Sequence, residues 1–251
     1  MNKMTLTVKG LTGGYSSQPV LKDINFEIAS GEIVGLIGLN GAGKSTTIKH
    51  IIGLMRAMKG EIAIDGHQLT DDANAYRQSF TYIPEMPVLY EALTLKEHIE
   101  LTGMAYGLGK EEALRNAQPL LETFRLDKRL DWLPIHFSKG MKQKVMIVCA
   151  FLVETSLYVV DEPFLGLDPL AIHDFIDTLK AKRDAGASVL MTTHVLATAE
   201  QYCDRFLFLA DGELVASGTL TEIRQQYQML DATLDDLYLH LAKGADDHAS
   251  A

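Results

Sequence analysis

Cysteine is scarce in this chain. Its 251 residues include only Cys149 and Cys203, each beside an apolar periodic segment. A disulfide framework or thiolate metal site is therefore not expected, and both read as small buried hydrophobes. No run approaches the roughly 18 consecutive apolar residues that a membrane-spanning helix needs. The opening Met1-Asn2-Lys3-Met4-Thr5 lacks the apolar stretch of a secretory leader, so a cytoplasmic protein is expected. Positive charge is short too: 23 Lys and Arg against 33 Asp and Glu give a formal net charge of −10. That is the wrong sign for neutralising a phosphate backbone, and no nucleic-acid partner is expected. There is no internal repeat and no low-complexity tract. What is present, 47% apolar and 22% charged residues, is the composition of a globular chain, long enough for one large α/β domain with an inserted subdomain.

Periodicity sets the order of elements. Alternation over Met4-Leu6-Val8 and Ile24-Phe26-Ile28 predicts half-buried antiparallel strands. Ile33-Val34-Gly35-Leu36-Ile37 is instead continuously apolar, as are Leu157-Tyr158-Val159-Val160 and Ser188-Val189-Leu190-Met191, the pattern of strands buried on both faces. Helices are predicted after the first run, with Ile48 and Ile51 inward, and between the other two, with Phe175, Ile176 and Leu179 inward. Residues 86–155 read as successive helices. Strands return around the turn dipeptide Asp211-Gly212, a helix follows near 219–227, and the polar end 242–251 is expected to fray. The sum is an α/β fold with a parallel sheet covered by helices.

Chemistry enters directly after the first buried strand. Gly38-Leu39-Asn40-Gly41-Ala42-Gly43-Lys44-Ser45 fits G-x-x-x-x-G-K-[ST] between a strand and a helix, and the phosphate-binding set extends to Thr46. Glycines let backbone N–H groups wrap phosphates closely. The helix start adds its positive dipole end, Lys44 a point charge for the β and γ groups, and Ser45 a hydroxyl for Mg²⁺. Small kinases, GTPases and recombinase-like ATPases share this loop, so it establishes only a nucleoside triphosphate.

Further along, Val160-Asp161-Glu162-Pro163 ends a buried strand in two acids whose side chains pleat alternation is expected to send in different directions. Asp161 suits Mg²⁺ held through water, and Glu162 suits polarising the water that attacks the γ-phosphorus. Thr192-Thr193-His194 closes the next buried run and makes His194 a candidate γ-phosphate contact. Phe137-Ser138-Lys139-Gly140-Met141 opens another helix with Ser138 as its cap. Its start is a second anion site, unneeded by a nucleotide already held at Lys44, and two such sites suggest two chains.

These motifs together resemble the ABC transporter ATP-binding family, over almost the whole chain from Met4 to about Leu241. The helix opening at Ser138 stands where that family's signature reads LSGGQ, with Lys139 and Met141 as departures. The resemblance implies a P-loop NTPase of the ABC ATPase fold: a RecA-like, mostly parallel sheet flanked by helices, an N-terminal antiparallel β subdomain and an inserted α-helical subdomain. Residues 1–85 and 156–227 would form the nucleotide-binding core, 86–155 the helical signature subdomain, and 228–251 a short helix and polar tail. It also implies ATP hydrolysis with ATP and Mg²⁺, in a head-to-tail homodimer where Ser138, Lys139, Gly140 and Met141 reach the partner's ATP. Tyr15 takes the place of the aromatic that stacks on adenine, and Asp168 that of the acid in the loop coupling the two sites. Glu85 stands where the family has a glutamine that contacts Mg²⁺ and senses the membrane partner. Among the family's branches the Ecs-type subunits of Gram-positive bacteria look most similar. That likeness implies an exporter's ATPase, peripheral on the inner face of the membrane and driving a separate permease. A soluble ABC ATPase acting on ribosomes or DNA is disfavoured by the single cassette, short helical insertion and acidic charge. A C-terminal sensory domain would need more chain than follows His194.

Overall fold

The computed structural model describes residues 3–15 and 18–249, with side chains through residue 241. Strands β1 (Met4–Gly13) and β2 (Leu21–Ala29) lead to β3 (Ile33–Gly38) and helix α1 (Lys44–Ile51). There follow β4 (Lys59–Ile64), β5 (His67–Gln68), α2 (Ala73–Gln78) and β6 (Phe80–Ile83). Helices α3 (Leu95–Ala105), α4 (Lys110–Thr123) and α5 (Lys139–Phe151) precede β7 (Leu157–Asp161), α6 (Pro169–Asp184), β8 (Ser188–Thr192) and α7 (Leu196–Tyr202). The chain continues through β9 (Arg205–Ala210), β10 (Glu213–Gly218), α8 (Leu220–Gln226) and α9 (Leu234–Ala249). Helix α9 thus runs through most of the stretch expected to fray; Ser250 and Ala251 lie outside the described residues.

Two sheets result, one antiparallel in the order β2-β1-β4-β5 and one of six strands in the order β10-β9-β3-β8-β7-β6. In the larger sheet β9, β3, β8, β7 and β6 are parallel and β10 alone is antiparallel, paired to β9 across Asp211-Gly212. Pleat alternation on β3 explains its continuous apolar run. Val34 and Leu36 enter the core beneath the antiparallel sheet and α1, Ile33 faces the core shared with the helices after β6, and Ile37 faces α7 and α9. The first strand departs from the alternation predicted for it: Thr5 and Leu6 are both buried and Met4 is exposed, because a register shift falls between Met4 and Leu6. The buried Thr5 hydroxyl donates to Ser188 Oγ at 3.0 Å, and Ser188 Oγ in turn donates to Ala29 O at 2.9 Å.

Helices α3, α4 and α5 stand between β6 and β7 and share one apolar cluster, with Leu95, Ile99, Ala117, Leu121, Val145 and Val148 buried against Tyr158 and Phe175 of the sheet side. The apolar stripes of α4 (Ala117, Leu121) and α5 (Val145, Val148) are the faces that meet. Capping fixes where α3 starts: the Thr94 hydroxyl accepts from Glu97 N at 3.2 Å and Glu97 Oε2 accepts from Thr94 N at 2.7 Å. The parallel order puts the C-terminal ends of β3, β7 and β8 side by side, and the motifs bearing Lys44, Asp161-Glu162 and His194 follow those ends.

Candidate functional site

The glycine-rich loop turns from β3 into α1 through Gly43, whose φ of +109° is left-handed and whose Cβ, if it had one, would lie 2.7 Å from Leu21 Cδ2. Only glycine fits there. Among the described residues no side chain caps α1, so its first amides face the loop with the helix dipole behind them. Lys44 folds back into the loop: Nζ donates to Gly38 O at 2.7 Å and to Leu39 O at 3.2 Å. Burial draws the Lys44 pKa down, while the charges of Glu162 and Asp161 act to raise it.

Those acids stand opposite. Asp161, the last residue of β7, is buried, accepts from Thr192 Oγ1 at 2.6 Å on Oδ1 and takes only a long 3.4 Å contact from Tyr82 OH on Oδ2. Glu162 has φ +47°, a left-handed conformation. The expected pleat alternation does not separate the two acids, since the strand ends at Asp161 and the left-handed turn at Glu162 leaves both on one cleft. Glu162 N donates to Thr192 O at 3.2 Å and to Thr192 Oγ1 at 3.1 Å, and Glu162 Oε2 accepts from His194 N at 3.0 Å. His194 Nε2 lies 3.3 Å from Oε1, an ion-pair distance without hydrogen-bond geometry, so buried Oε1 accepts no hydrogen bond among the described residues. Desolvation pushes the Glu162 pKa up; the His194 amide and the charges on His194 and Lys44 oppose it.

One cleft of about 510 Å³ gathers these groups. Its wall includes Tyr15, Leu39, Asn40, Gly41, Gly43, Lys44, Ser45 and Thr46 from the first part of the chain, with Glu85, Asp161, Glu162 and His194 facing them. Gly38 and Ala42 are off the wall: Gly38 offers its carbonyl to Lys44 and Ala42 packs into the core. Tyr15, exposed at the mouth, accepts at its OH from Lys49 Nζ at 2.9 Å, a contact that lowers the phenol's pKa. Ser45, Glu85 and Asp161 are hard oxygen donors of the kind Mg²⁺ takes, and Mg²⁺ usually draws its other ligands from water and substrate phosphates. The donor chemistry fits that ion.

The remaining predicted residues lie elsewhere. Ser138 caps α5 by accepting from Met141 N at 3.3 Å, while the Met141 side chain packs against the core below. A Cβ on Gly140 would sit 2.4 Å from Gly166 O, so the residue is glycine because the loop after β7 passes directly beneath. Lys139 is exposed and its stem runs beside Gly166. Asp168 caps α6, accepting from Ala171 N at 2.9 Å and from Lys144 Nζ at 2.8 Å; Lys144 and then that amide hold its carboxyl below the usual carboxylate range. None of Ser138, Lys139, Gly140, Met141 or Asp168 lines the cleft.

Sequence patterns miss three contributors. Val20 lines the cleft but carries no motif signal. Gln143, fully buried on α5, donates to Pro84 O at 3.1 Å and ties that helix to the turn bearing Glu85; a lone glutamine on an otherwise apolar stripe is the signal that could have found it. Thr192, fully buried at the end of β8, touches both acids.

Comparison with known proteins agrees with this arrangement. Residues 21–165 match the family model described as ABC transporter. The ABC-type transporter ATP-binding protein EcsA of Bacillus subtilis (strain 168) is 61% identical over 243 residues, 97% of this chain and 98% of the relative. A solved ATP-binding subunit of an ABC transporter superposes with a TM-score of 0.92 at 58% identity, covering 94% of this chain and 99% of the other. A dimeric ATP-binding cassette in a post-hydrolysis state, bound to ADP and Pi, superposes with a TM-score of 0.77 at 27% identity, covering 86% of this chain and 98% of the other. With a phosphate loop, facing acids and a near full-length likeness of this order, the chain belongs to the ABC transporter family as an Ecs-type ATP-binding, ATP-hydrolysing subunit.

Proposed function

We propose that this subunit hydrolyses ATP in a head-to-tail homodimer, with Glu162 as the general base, to power a separate permease of an exporter. The Glu162 carboxylate carries the reading: the residue lines the cleft, desolvation raises its basicity, and its Oε1 accepts no hydrogen bond among the described residues, with His194 Nε2 3.3 Å away. Its other oxygen is held by the His194 amide, which fixes the orientation of the base. Lys44 exchanges its loop carbonyls for β- and γ-phosphate oxygens, and the uncapped α1 amides take the rest. His194 contacts the γ-phosphate beside Glu162, and Tyr15 stacks on adenine at the mouth. Ser45, Asp161 and Glu85 hold Mg²⁺, which when bound neutralises phosphate charge.

Ser138, Lys139, Gly140 and Met141 act on the partner's ATP. An anion-binding helix start that is exposed, basic and outside its own chain's cleft suits a ligand held by another copy. Asp168, braced by Lys144 next to that helix, couples the two sites. Residues 1–85 and 156–227 act as the core, 86–155 as the signature subdomain and 228–251 as the terminal helix and tail. The permease docks near the insertion, where Met86, Val88, Tyr90 and Met104 are large apolar side chains left exposed. The subunit is then cytoplasmic and peripheral on the inner face of the membrane; among the described residues no helix is long and apolar enough to cross it. Export follows the Ecs-type likeness.

Glu162→Gln tests the catalytic core of this reading. Fluorescent-nucleotide titration is expected to show MgATP binding within a few-fold of the parent, phosphate release is expected to fall by about 10²–10³ or more, and the variant is expected to run as an ATP-dependent dimer in size-exclusion chromatography. Unchanged steady-state turnover removes Glu162 from the role.

A further inference from the structure

We propose that Thr192 is a positioning residue for ATP hydrolysis, its single hydroxyl setting the geometry of both acids at the end of β7. The proposal rests on the assignment of Asp161 to the metal and Glu162 to the water made above. Thr192 is fully buried at the last position of β8, paired in register with Asp161 on the neighbouring strand. The same run holds Val189, Leu190 and Met191, all fully buried, and a β-branched valine would fill this place as well. The hydroxyl is therefore an addition that packing does not require, and a buried hydroxyl is unfavourable unless bonded.

It is bonded twice, with the direction of each bond fixed. An amide can only donate, so Glu162 N–H gives its proton to Thr192 Oγ1 at 3.1 Å. The hydroxyl has one proton of its own, which goes to Asp161 Oδ1 at 2.6 Å. This second bond engages Oδ1 and leaves Oδ2, with only the long Tyr82 contact, as the less constrained oxygen. The first bond works with Thr192 O, 3.2 Å from the same amide, to secure Glu162 in its left-handed conformation. Two residues on, His194 N fixes the Glu162 carboxylate itself. Residues 192–194 therefore act as one clamp, with Thr192 orienting Asp161 and the Glu162 backbone and His194 orienting the Glu162 side chain. Tyr82, the only other hydroxyl on Asp161 among the described hydrogen bonds, stands at 3.4 Å and cannot replace it.

Thr192→Val keeps the shape and removes the hydroxyl; Thr192→Ser keeps the hydroxyl. For the valine variant kcat is expected to fall about 10- to 100-fold and the Mg²⁺ concentration for half-maximal turnover to rise several-fold, as for other residues that orient a metal-binding carboxylate. Titration of a fluorescent ATP analogue is expected to show parent-like affinity in EDTA, where no metal is held, and a loss of the Mg²⁺-dependent gain in affinity. The serine variant is expected to stay within about two-fold of the parent in all of these. If Thr192→Val does not fold, Thr192→Ala removes the same hydroxyl and carries the same expectation. Parent-like kcat and Mg²⁺ response in the hydroxyl-free variant overturn the proposal, as does a serine variant equally impaired, which would show that the hydroxyl alone does not set the geometry. Glu162→Gln run alongside separates the two levels: if it turns over normally the site assignment fails, whereas its loss of turnover with Thr192→Val unaffected overturns Thr192 alone.

Discussion

Two helix starts in this molecule, those of α1 and α5, are built differently. At α1 the cap is Gly43, no side chain satisfies the first amides, and one ammonium, Lys44, shares a cleft with Glu85, Asp161 and Glu162. At α5 the cap is Ser138, which turns its hydroxyl onto Met141 N, and the first helical turn and the residues after it carry Lys139, Lys142 and Lys144. The acid near it, Asp168, is neutralised by Lys144. The first start is electrostatically mixed and suits a ligand that brings both phosphate and a cation. The second is basic and exposed, and suits phosphate already bound elsewhere. On the proposed reading, that difference suits a composite site split between two copies.

The largest test breaks the second start alone. Ser138→Arg fills the space before α5 with a long cation and removes the cap. On the composite reading it is expected to lower ATPase turnover about 10²-fold or more while leaving nucleotide affinity at the α1 cleft within a few-fold. Mixing it with an equally inactive Lys44→Ala chain decides the matter. A mixed dimer pairs the intact α1 cleft of one copy with the intact α5 start of the other, so activity is expected to return on mixing. Two variants that remain inactive together, or a Ser138→Arg chain that turns over normally, would place α5 outside the site.

A smaller effect tests the charge asymmetry at α1. Glu85→Gln removes one of three cleft carboxylates and keeps the shape. Glu85 is exposed, so its Coulomb contribution is screened and about two- to five-fold changes are expected. Affinity for ATP in EDTA is expected to rise, because a negative charge facing the phosphates is gone, and half-saturating Mg²⁺ is expected to rise as well, because an oxygen donor is gone. Both shifts together identify Glu85 as a metal-facing group; no change in either places it away from the nucleotide.

Much of this comparison was legible in the sequence, for identifiable reasons. Lys44, Ser45, Asp161 and His194 follow continuously apolar runs, and a parallel sheet brings the ends of such runs together. Their shared cleft follows from topology once the runs are recognised as parallel strands. Less visible was what depends on a single backbone angle or a long-range contact. Pattern alone sends Asp161 and Glu162 to opposite faces; the left-handed turn at Glu162 decides otherwise. Thr192 reads as an ordinary strand residue, because its bonds reach back 30 and 31 residues. Gln143 reads as a break in an apolar stripe, because its partner Pro84 is 59 residues away. The burial of Thr5 in place of Met4 is likewise a register shift that no period-two pattern contains.

The smallest predicted effect separates the two starts by stability. Glu162 carries a desolvated carboxyl whose pKa is raised in the folded chain, with burial as the main cause. In the window between the unfolded and the raised folded pKa, the folded state binds more protons than the unfolded one, so stability falls as pH rises through that window. Below the unfolded carboxylate range, near pH 4, both states are protonated and the penalty vanishes; at neutral pH it is present in full. A glutamine amide cannot ionise, so Glu162→Gln is expected to raise Tm at pH 7.5 by about 2 °C and by less at pH 4.5, measured without nucleotide by differential scanning fluorimetry. At the other start Lys139 is exposed and its charge solvated, and Lys139→Met is expected to leave Tm within about 1 °C at both pH values. If Glu162→Gln lowers Tm at pH 7.5, the amide of His194 and the charge of Lys44 outweigh desolvation at the carboxylate. Glu162 would then be a stabilising ion pair, and the α1 cleft would lose the strained base that distinguishes it from α5.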